Sequence, residues 1–286
     1  MRIELAGGSV FLEPLVIKYE EDGEFNSLDL IEAGYTRFEV ICIGAGGGQG
    51  GGIDTAGAGT TVRNYGGAGG GGGFHRVHGL LSGLPTICPV VVGAAGTPGT
   101  NHASNPALTT DGGDGEYSSF NDTTCQASGG KGGKRAQSNS LTVSTDADGG
   151  EGGVGNRTVA GGGAAGGQAG TPTSGGPGTA GTAGTDGRLY QNIGEGGGGG
   201  AGGVGKYGSG GTTCNAATAG GRGSYIPGDT SVYGSAGSPS EDPGSGSDNV
   251  VPGKASGAKA APVNGLPTVY GRSGEAGTVI MRLTAR

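Results

Sequence analysis

The sequence predicts a mainly β and irregular fold, in which a β-strand scaffold brackets a bundle of packed polyglycine II helices and almost no α-helix occurs. Glycine accounts for 75 of the 286 residues and tryptophan is absent, so bulky apolar side chains cannot fill one ordinary core of that size. Short apolar segments rich in β-branched residues lie toward both ends of the chain. Between them, glycine recurs in tracts that repeat every three residues.

The predicted strands are short segments in which β-branched and apolar residues are concentrated. Pro14 lies within the first of them and indicates either an edge strand or a break. A turn at Gly34 and Tyr35 leads into the third, whose run R-F-E-V-I-C-I is typical of a buried strand. The six segments are residues 9–19, 25–31, 37–43, 74–81, 86–92 and 277–283.

Within the glycine tracts, residues 129–134 and 149–155 repeat as G-G-x and residues 178–187 repeat as G-x-x, and both patterns have a period of three. Three residues per turn is the repeat of the extended left-handed helix. Because two edges of a G-G-x helix carry no side chain, neighbouring backbones can approach and satisfy one another's hydrogen-bonding groups. A collagen triple helix is excluded, since the strict runs are short and contain no proline. The tracts are residues 44–52, 66–73, 129–133, 149–155, 161–170, 175–187 and 194–205.

These patterns divide the chain into three parts. Residues 1–43 form an N-terminal β segment, for which we expect a role in attachment or oligomerisation. Residues 44–276 form the glycine-rich polyglycine II body with its polar loops. Residues 277–286 form a closing C-terminal strand that we expect to pack on the body.

Charge and hydropathy exclude several classes of partner. The formal net charge is −7, and Lys131, Lys134 and Arg135 form the longest basic cluster, so a nucleic-acid partner is not expected. The N-terminus lacks the apolar stretch of a secretory signal peptide. No apolar run approaches the ~18 residues that a membrane-spanning helix requires, so no membrane insertion is expected.

The four cysteines, Cys42, Cys88, Cys125 and Cys214, are widely separated in the sequence. We interpret them as reduced residues that pack like small apolar side chains. A disulfide remains an open alternative, whereas the absence of a C-x-x-C pair argues against zinc.

Two glycine motifs resemble phosphate-binding loops. Gly46, Gly48 and Gly51 satisfy G-x-G-x-x-G after a strand, but the residues that follow lack the helical stripe that a dinucleotide site requires. The segment from Gly200 to Tyr207 resembles a P-loop, but Tyr207 replaces the serine or threonine that holds magnesium. Neither motif predicts a nucleotide cofactor.

Residues able to carry acid–base chemistry are few. His75 and His78 are three apart on a predicted strand and therefore point to opposite faces, so they cannot share a metal ion. The chain contains only three histidines and no grouped Ser/His/Asp or Cys/His set. We therefore expect no enzymatic activity, no cofactor and no metal site.

Polar loops between the tracts carry tyrosines, which are stiff, amphipathic side chains that often anchor binding sites. The candidate receptor-binding residues are Tyr190, Tyr207, Tyr225 and Tyr233. The alternative is that these side chains cap the ends of the bundle. The loops are residues 97–111, 137–148, 188–193, 207–219 and 225–251.

The ordered series of motifs resembles the glycine-rich domain of bacteriophage tail fibres and minor tail proteins. The series is a strand followed by G-A-G-G-G-x-G-G-G, then G-G-A-G-G-G-G-G-F, V-V-V-G-A-A-G, G-G-D-G-E-Y-S-S-F, A-S-G-G-K-G-G-K and a closing G-E-A-G-T-V-I-M-R-L. The resemblance covers roughly residues 25–286. Threonine, alanine, serine and proline interrupt the tracts and long loops intervene, which favours a mixed β and polyglycine body.

The resemblance implies a virion protein at the tail tip or fibre, made in the host cytoplasm. It implies similarity to adhesins whose packed polyglycine helices carry loops that touch a receptor on the bacterial surface. Other virion tail proteins are the implied partners, together with assembly into a homo-oligomer, most simply a trimer. None of this carries catalytic residues onto the chain.

Three functions follow as hypotheses. The first is a structural tail protein that presents loops for receptor binding, and the second is a purely structural tail-tip subunit. The third is ice binding, because Thr179, Thr182 and Thr185 recur at a period of three. That period is short, and the loops interrupt any long flat face.

Overall fold

The computed structural model describes residues 12–52, 66–100, 107–135, 137, 150–153 and 273–285 with their side chains. Elsewhere it describes the backbone of paired strands and of Pro106. All statements below concern these residues. The predicted tracts 161–170 and 175–187 lie outside them, as do most of 194–205 and residues 149, 154 and 155 of the tract 149–155.

The described part of the chain contains seventeen β-strands, a single six-residue α-helix, α1 (Ser27–Glu32), and two short 3₁₀ helices, Leu81–Gly83 and Pro106–Leu108. The prediction of a mainly β and irregular fold with almost no α-helix is confirmed. The strands are β1 Ile3–Glu4, β2 Val10–Phe11, β3 Leu15–Tyr19, β4 Gly23–Asn26, β5 Arg37–Ile43, β6 Ile53–Gly57, β7 Thr60–Asn64, β8 Phe74–Leu80, β9 Ile87–Val91, β10 Ser118–Phe120, β11 Cys125–Ala127, β12 Leu189–Tyr190, β13 Ile193–Gly194, β14 Val204–Gly208, β15 Lys259–Val263, β16 Leu266–Tyr270 and β17 Thr278–Thr284.

Two antiparallel sheets form a sandwich. One has six strands in the order β12-β13-β8-β5-β17-β3, and the other has four in the order β11-β10-β9-β4. Their facing side chains form one apolar cluster, because alternate residues of each strand point to the same face. Phe120 lies within it, with its ring centroid 5.5 Å from that of Phe25 and 6.3 Å from that of Phe38. The buried members are Phe25, Phe38, Val40, Cys42, Leu81, Cys88, Val90, Phe120, Cys125, Ala127, Val279, Met281 and Leu283.

The strand β5 is apolar on both faces. Ile41, Ile43 and Phe74 form a second buried cluster on the face of the six-stranded sheet that points away from the sandwich core. On the same face Glu39 forms ion pairs with Arg76 and Arg282. A strand that is covered on both faces has a continuous apolar sequence. This is why the sequence R-F-E-V-I-C-I predicts a buried strand so clearly.

The N-terminal segment agrees with the predicted strands at one place and differs at another. Pro14 separates β2 from β3, which lies at the edge of its sheet, so the predicted break is confirmed. The predicted strand over residues 25–31 is wrong, since β4 ends at Asn26 and α1 follows. The Oδ1 atom of Asn26 accepts hydrogen bonds from the backbone N–H groups of Leu28 (3.0 Å) and Asp29 (3.4 Å) and so caps the helix.

Six extended tracts continue six strands of the sandwich at one common end. Each tract leads directly into or out of a strand, and none is α-helical or part of a β-ladder, apart from a single bridge at Gly274. We call these tracts the bundle. They are residues 44–52 after β5, 66–73 before β8, 92–100 after β9, 109–117 before β10, 128–135 after β11 and 273–277 before β17.

Strand pairing continues into the bundle without a change of register. Beyond the pair Ile43↔Phe74 of β5 and β8, the tract 44–52 donates backbone hydrogen bonds to the tract 66–73, but only at every third residue. The same continuity links the tracts that extend β9, β10 and β11. The donor and acceptor pairs between the tracts 44–52 and 66–73 are Gly44 to Gly73, Gly47 to Gly70 and Gly50 to Gly67, each 2.9 Å.

Successive residues of one tract bond to different neighbours. In the tract 44–52, Gly44 donates to the tract 66–73, Ala45 donates to Glu116 (3.0 Å), and Gly46 donates to Glu275 (2.8 Å). The tract also accepts hydrogen bonds, for example from Gly130 at the Ala45 oxygen (2.9 Å). The two layers of the sandwich, which in such folds lie ~10 Å apart across their side chains, are therefore joined backbone to backbone in the bundle.

Close approach of backbones is the reason for glycine in the bundle. A Cβ atom built on Gly47 would overlap the carbonyl oxygen of Lys131, and one built on Gly69 would overlap that of Gly47. Conformational freedom is not the reason, since Gly34 is the one described glycine with a positive φ (101°). It follows α1 and forms the predicted turn before β5.

The closing strand β17 lies between β3 and β5, so it pairs with two strands of the N-terminal segment. The tract before it bonds to the bundle through Gly274 to Gly96 (2.8 Å) and Gly277 to Gly93 (2.9 Å). The N-terminal segment, the body and the closing strand that the sequence predicts are thus interleaved in one structure. The attachment or oligomerisation role of residues 1–43 stays a prediction.

Candidate functional site

The four candidate tyrosines do not lie in one described sheet. Tyr190 is in β12, opposite Ile193 of β13, and β13 pairs with β8 beside the sandwich. Tyr207 is in β14, opposite Thr61 of β7. Tyr225 and Tyr233 lie outside the described residues. Receptor contact by any of these side chains stays a prediction.

Parts of the predicted loops are strands or bundle. Segment 188–193 contains β12 and the first residue of β13, and 207–219 begins within β14. Loop 97–111 starts and ends in bundle tracts, where Gly99 donates to the Gln49 oxygen (2.7 Å). These corrections share a cause, because the sequence shows polar composition here but not the partner that pairs with it.

The directions of the tracts give the bundle two different ends. The tracts 44–52, 92–100 and 128–135 all run away from the sandwich. The tracts 66–73, 109–117 and 150–153 run back toward it. The hairpin β6–β7 lies between the tracts 44–52 and 66–73 in the chain, and β14 with Tyr207 pairs with it. We call this region the distal end.

The backbone groups of the G-x-G-x-x-G motif are already occupied. Gly46, Gly48 and Gly51 donate their N–H groups to the carbonyl oxygens of other bundle tracts at 2.8–2.9 Å. A dinucleotide site needs such groups free at the start of a helix, whereas this motif leads into β6. The P-loop-like motif also lacks its helix, because Val204–Gly208 is β14.

The two histidines of H-x-x-H lie on opposite faces of β8. His75 is opposite Cys42 on the core side, and its Nδ1 atom accepts a hydrogen bond from the Gln126 N–H (3.2 Å). His78 is opposite Glu39 and is exposed. In the part of the chain that the structure describes, no group of three or more His, Cys, Asp or Glu residues could hold a metal ion.

A ladder of charged side chains lines one edge of the bundle. Asp111 forms an ion pair with Lys134 (3.0 Å), and Asp114 forms one with Lys131 (2.7 Å). Both carboxylates also accept backbone hydrogen bonds, Asp111 from the Arg135 N–H (3.0 Å) and Asp114 from the Gly132 N–H (2.9 Å). The carboxylates therefore satisfy backbone donors at an edge of the described part of the bundle.

The pKa values of both carboxyl groups are lowered. Burial alone raises the pKa of Asp111, but hydrogen bonds from the Arg135 backbone and the Lys134 ammonium outweigh it. Burial likewise raises the pKa of Asp114, and hydrogen bonds from Lys131 and the Gly132 backbone outweigh it. This ladder was not predicted, although its signal is present as D-G-G-D and K-G-G-K, two segments that share the period of three.

The double substitution Asp111→Asn and Asp114→Asn tests the ladder. A carboxyl group whose pKa is lower in the folded than in the unfolded protein stabilises the fold at pH values above its unfolded pKa, which is near 3.9. This stabilisation is lost as the pH falls through the pKa of the folded protein. We expect a loss of about 1 kcal/mol in the free energy of unfolding at pH 7 and almost none at pH values below the folded pKa.

Denaturant unfolding as a function of pH measures this difference. Glu21→Gln, which neutralises an exposed carboxylate in the turn before β4, is the matched control and should change stability little. A double variant equally destabilised at acid and neutral pH would contradict the ladder's electrostatic role.

The fold, with its ladder of charged side chains along one edge of the bundle, defines a class of architecture. This class is a β-sandwich whose strands continue into a backbone-bonded bundle. No protein-family model matches the chain, and a search of curated proteins finds no match. Among the described residues, no helix is both long enough and apolar enough to cross a membrane.

Proposed function

We propose that the bundle tracts are polyglycine II helices. A backbone donor recurs at every third residue toward a given neighbour, as a helix of three residues per turn requires. The absence of positive φ among the described bundle glycines agrees with the left-handed extended conformation. Each tract can then bond to neighbours in several directions, unlike a β-strand, which pairs only within its sheet.

We further propose that this protein is a structural component of a bacteriophage tail, at the tail tip or fibre, that presents loops for binding a host receptor. The observation that carries the proposal is the continuation of six sandwich strands into one backbone-bonded bundle. Such a body holds its shape without a large side-chain core. The tail assignment itself comes from the resemblance of the ordered glycine motifs to tail proteins.

The two ends of the bundle suit two roles. The sandwich end contains β3 and β5 of the N-terminal segment, which we assign to attachment within the virion. The distal end contains the hairpin β6–β7 and β14, so it is the end that we assign to the receptor. On this basis Tyr207 is a better receptor candidate than Tyr190, which belongs to the sandwich end.

Deletion of residues 225–251 in the phage genome should abolish adsorption to the host while particles still assemble. The measurement compares the fraction of particles bound to cells with the yield of intact particles by electron microscopy. Tyr207→Ala should reduce adsorption, and Tyr190→Ala is its matched control and should leave adsorption near the wild-type level. Unchanged adsorption of the deletion variant would contradict the receptor role.

The second candidate is a tail-tip subunit whose loops contact other virion proteins. Labelling of the distal end in intact virions distinguishes the two candidates, since a buried loop cannot reach a receptor. Ice binding is disfavoured, because the described edge of the bundle presents Asp–Lys pairs instead of a row of threonines. Thr179, Thr182 and Thr185 lie outside the described residues.

A further inference from the structure

Cys42 of β5 and Cys125 of β11 face each other across the sandwich core. Both are fully buried and both are free thiols. The Cys42 thiol donates to the carbonyl oxygen of Cys125 at 3.5 Å, and the Cys125 Sγ atom lies 4.0 Å from the carbonyl oxygen of Val40. The Cys125 thiol also donates to the carbonyl oxygen of His75 at 3.2 Å.

The layers converge at this pair. Two residues beyond Cys42, a Cβ atom on Gly44 would overlap the backbone of Ser128, which is three residues beyond Cys125. The pair therefore lies where the gap between sheets narrows toward the bundle. A disulfide needs Cβ atoms about 4 Å apart. The usual ~10 Å separation of packed sheets does not favour so short a Cβ–Cβ distance, whereas the narrower gap beside the bundle does.

The surroundings of the two thiols differ. Burial raises the pKa of Cys42 well above its ordinary value. Burial also acts to raise the pKa of Cys125, but interactions with the Cys42 thiol and the His75 imidazole outweigh it and lower that pKa. In the closed core Cys125 therefore has more thiolate character than Cys42.

We propose that Cys42 and Cys125 form a disulfide between the two sheets when the protein folds in an oxidising environment. The bond then cross-links the two sheets at the junction of sandwich and bundle, and its formation depends on the redox state of the surroundings. This inference concerns the fold and does not require the tail assignment.

The bond forms by thiol–disulfide exchange with a small disulfide such as oxidised glutathione. While the core is open, the Cys125 thiol gives up its proton and its sulfur attacks one glutathione sulfur. The S–S bond of the oxidised glutathione breaks, and one glutathione leaves with the electron pair and takes up that proton. The Cys42 thiol then gives up its proton and attacks the Cys125 sulfur, so that the mixed disulfide breaks and the second glutathione leaves with the electron pair and takes up this proton. Two protein thiols are oxidised and one glutathione disulfide is reduced to two thiols.

The bond would close a loop between residues 83 positions apart in the sequence. A cross-link over so long a loop restricts the unfolded chain strongly. The melting temperature of the oxidised protein should therefore exceed that of the reduced protein by about 5–10 °C.

The experiment refolds the full chain from denaturant in a glutathione redox buffer, so that exchange occurs before the core closes. Free thiols are then blocked, and disulfides are mapped by mass spectrometry of non-reduced peptides. The expected product joins Cys42 to Cys125, and a reductant should reverse the rise in melting temperature.

Cys42→Ala and Cys125→Ala should each abolish the shift in melting temperature between oxidised and reduced samples. Cys88→Ala, which removes a thiol from the same core, is the control and should keep that shift. Recovery of Cys42 and Cys125 as free thiols or glutathione adducts in the wild type would overturn the proposal. A dominant bridge to Cys88 or Cys214, or a lower melting temperature after oxidation, would overturn it as well.

Discussion

Gly47→Ala is expected to lower the free energy of unfolding by more than about 3 kcal/mol. Its Cβ atom would overlap the carbonyl group of Lys131, and that group already accepts the N–H of Gly70 at 2.9 Å. Overpacking against side chains typically costs about 1–3 kcal/mol. Here the obstacle is backbone, which no change of rotamer can relieve, so the tracts must separate and lose their hydrogen bonds.

Denaturant unfolding of two control variants isolates this effect. Gly83→Ala adds the same methyl group where nothing lies within 4 Å, and Ala68→Gly removes a methyl group that the bundle accommodates. Each should change stability by about 1 kcal/mol or less. A Gly47→Ala variant as stable as Gly83→Ala would show that the tracts are not in contact at this position.

Phe120→Ala is expected to cost about 3–5 kcal/mol. The ring is fully buried and packs against the rings of Phe25 and Phe38, so its removal leaves a cavity between the two sheets. Phe120 also ends β10, which the bundle tract 109–117 enters. Loss of the ring should therefore weaken the bundle together with the sandwich.

Leu80→Ala is the matched control for the aromatic core. Leu80 lies in β8 but is 55% exposed, so its truncation should cost less than about 1 kcal/mol. The measurement is again denaturant unfolding, followed by a spectroscopic signal of the sheets. Equal destabilisation by the two substitutions would contradict the placement of Phe120 at the centre of the core.

The architecture could be predicted where local pattern and tertiary environment agree. The continuous apolar run of β5 predicts a strand because both its faces are covered. The period of three in the tract 129–133 predicts a neighbour at each third residue, and the hydrogen bonds from Gly130 to Ala45 and from Gly133 to Gly48 have that period. The helix α1 was missed because its apolar residues also fit a strand, and the deciding contact is the cap from Asn26.

Partner identity could not be predicted from local pattern. Glycine tracts have nearly interchangeable sequences, so nothing in residues 44–52 alone specifies tracts 66–73 and 109–117 as neighbours. The register comes from the strands, whose side chains distinguish one pairing from another, and it passes into the bundle through continuity of the chain. The charged ladder illustrates this, since Asp111 and Lys134 meet only in that register.

The candidate receptor site was predictable only as a class of side chain. Tyrosines in polar segments indicate contact surfaces, but their separation between the sandwich end and the distal end depends on pairings made by β13 and β14. No local pattern in the sequence predicts those pairings. The separation of Tyr207 from Tyr190 is therefore a result of the structure.

Amide hydrogen exchange of the bundle tracts, measured by mass spectrometry on peptides from residues 44–52 and 128–135, tests the central claim most directly. Backbone bonding at every third residue toward several neighbours predicts protection at least about a thousandfold above an unstructured chain, comparable with that of β5. The Phe120→Ala variant should lose protection in both sandwich and bundle. Exchange of the tracts at the rate of an unstructured peptide, with the sandwich still protected, would contradict a backbone-bonded bundle.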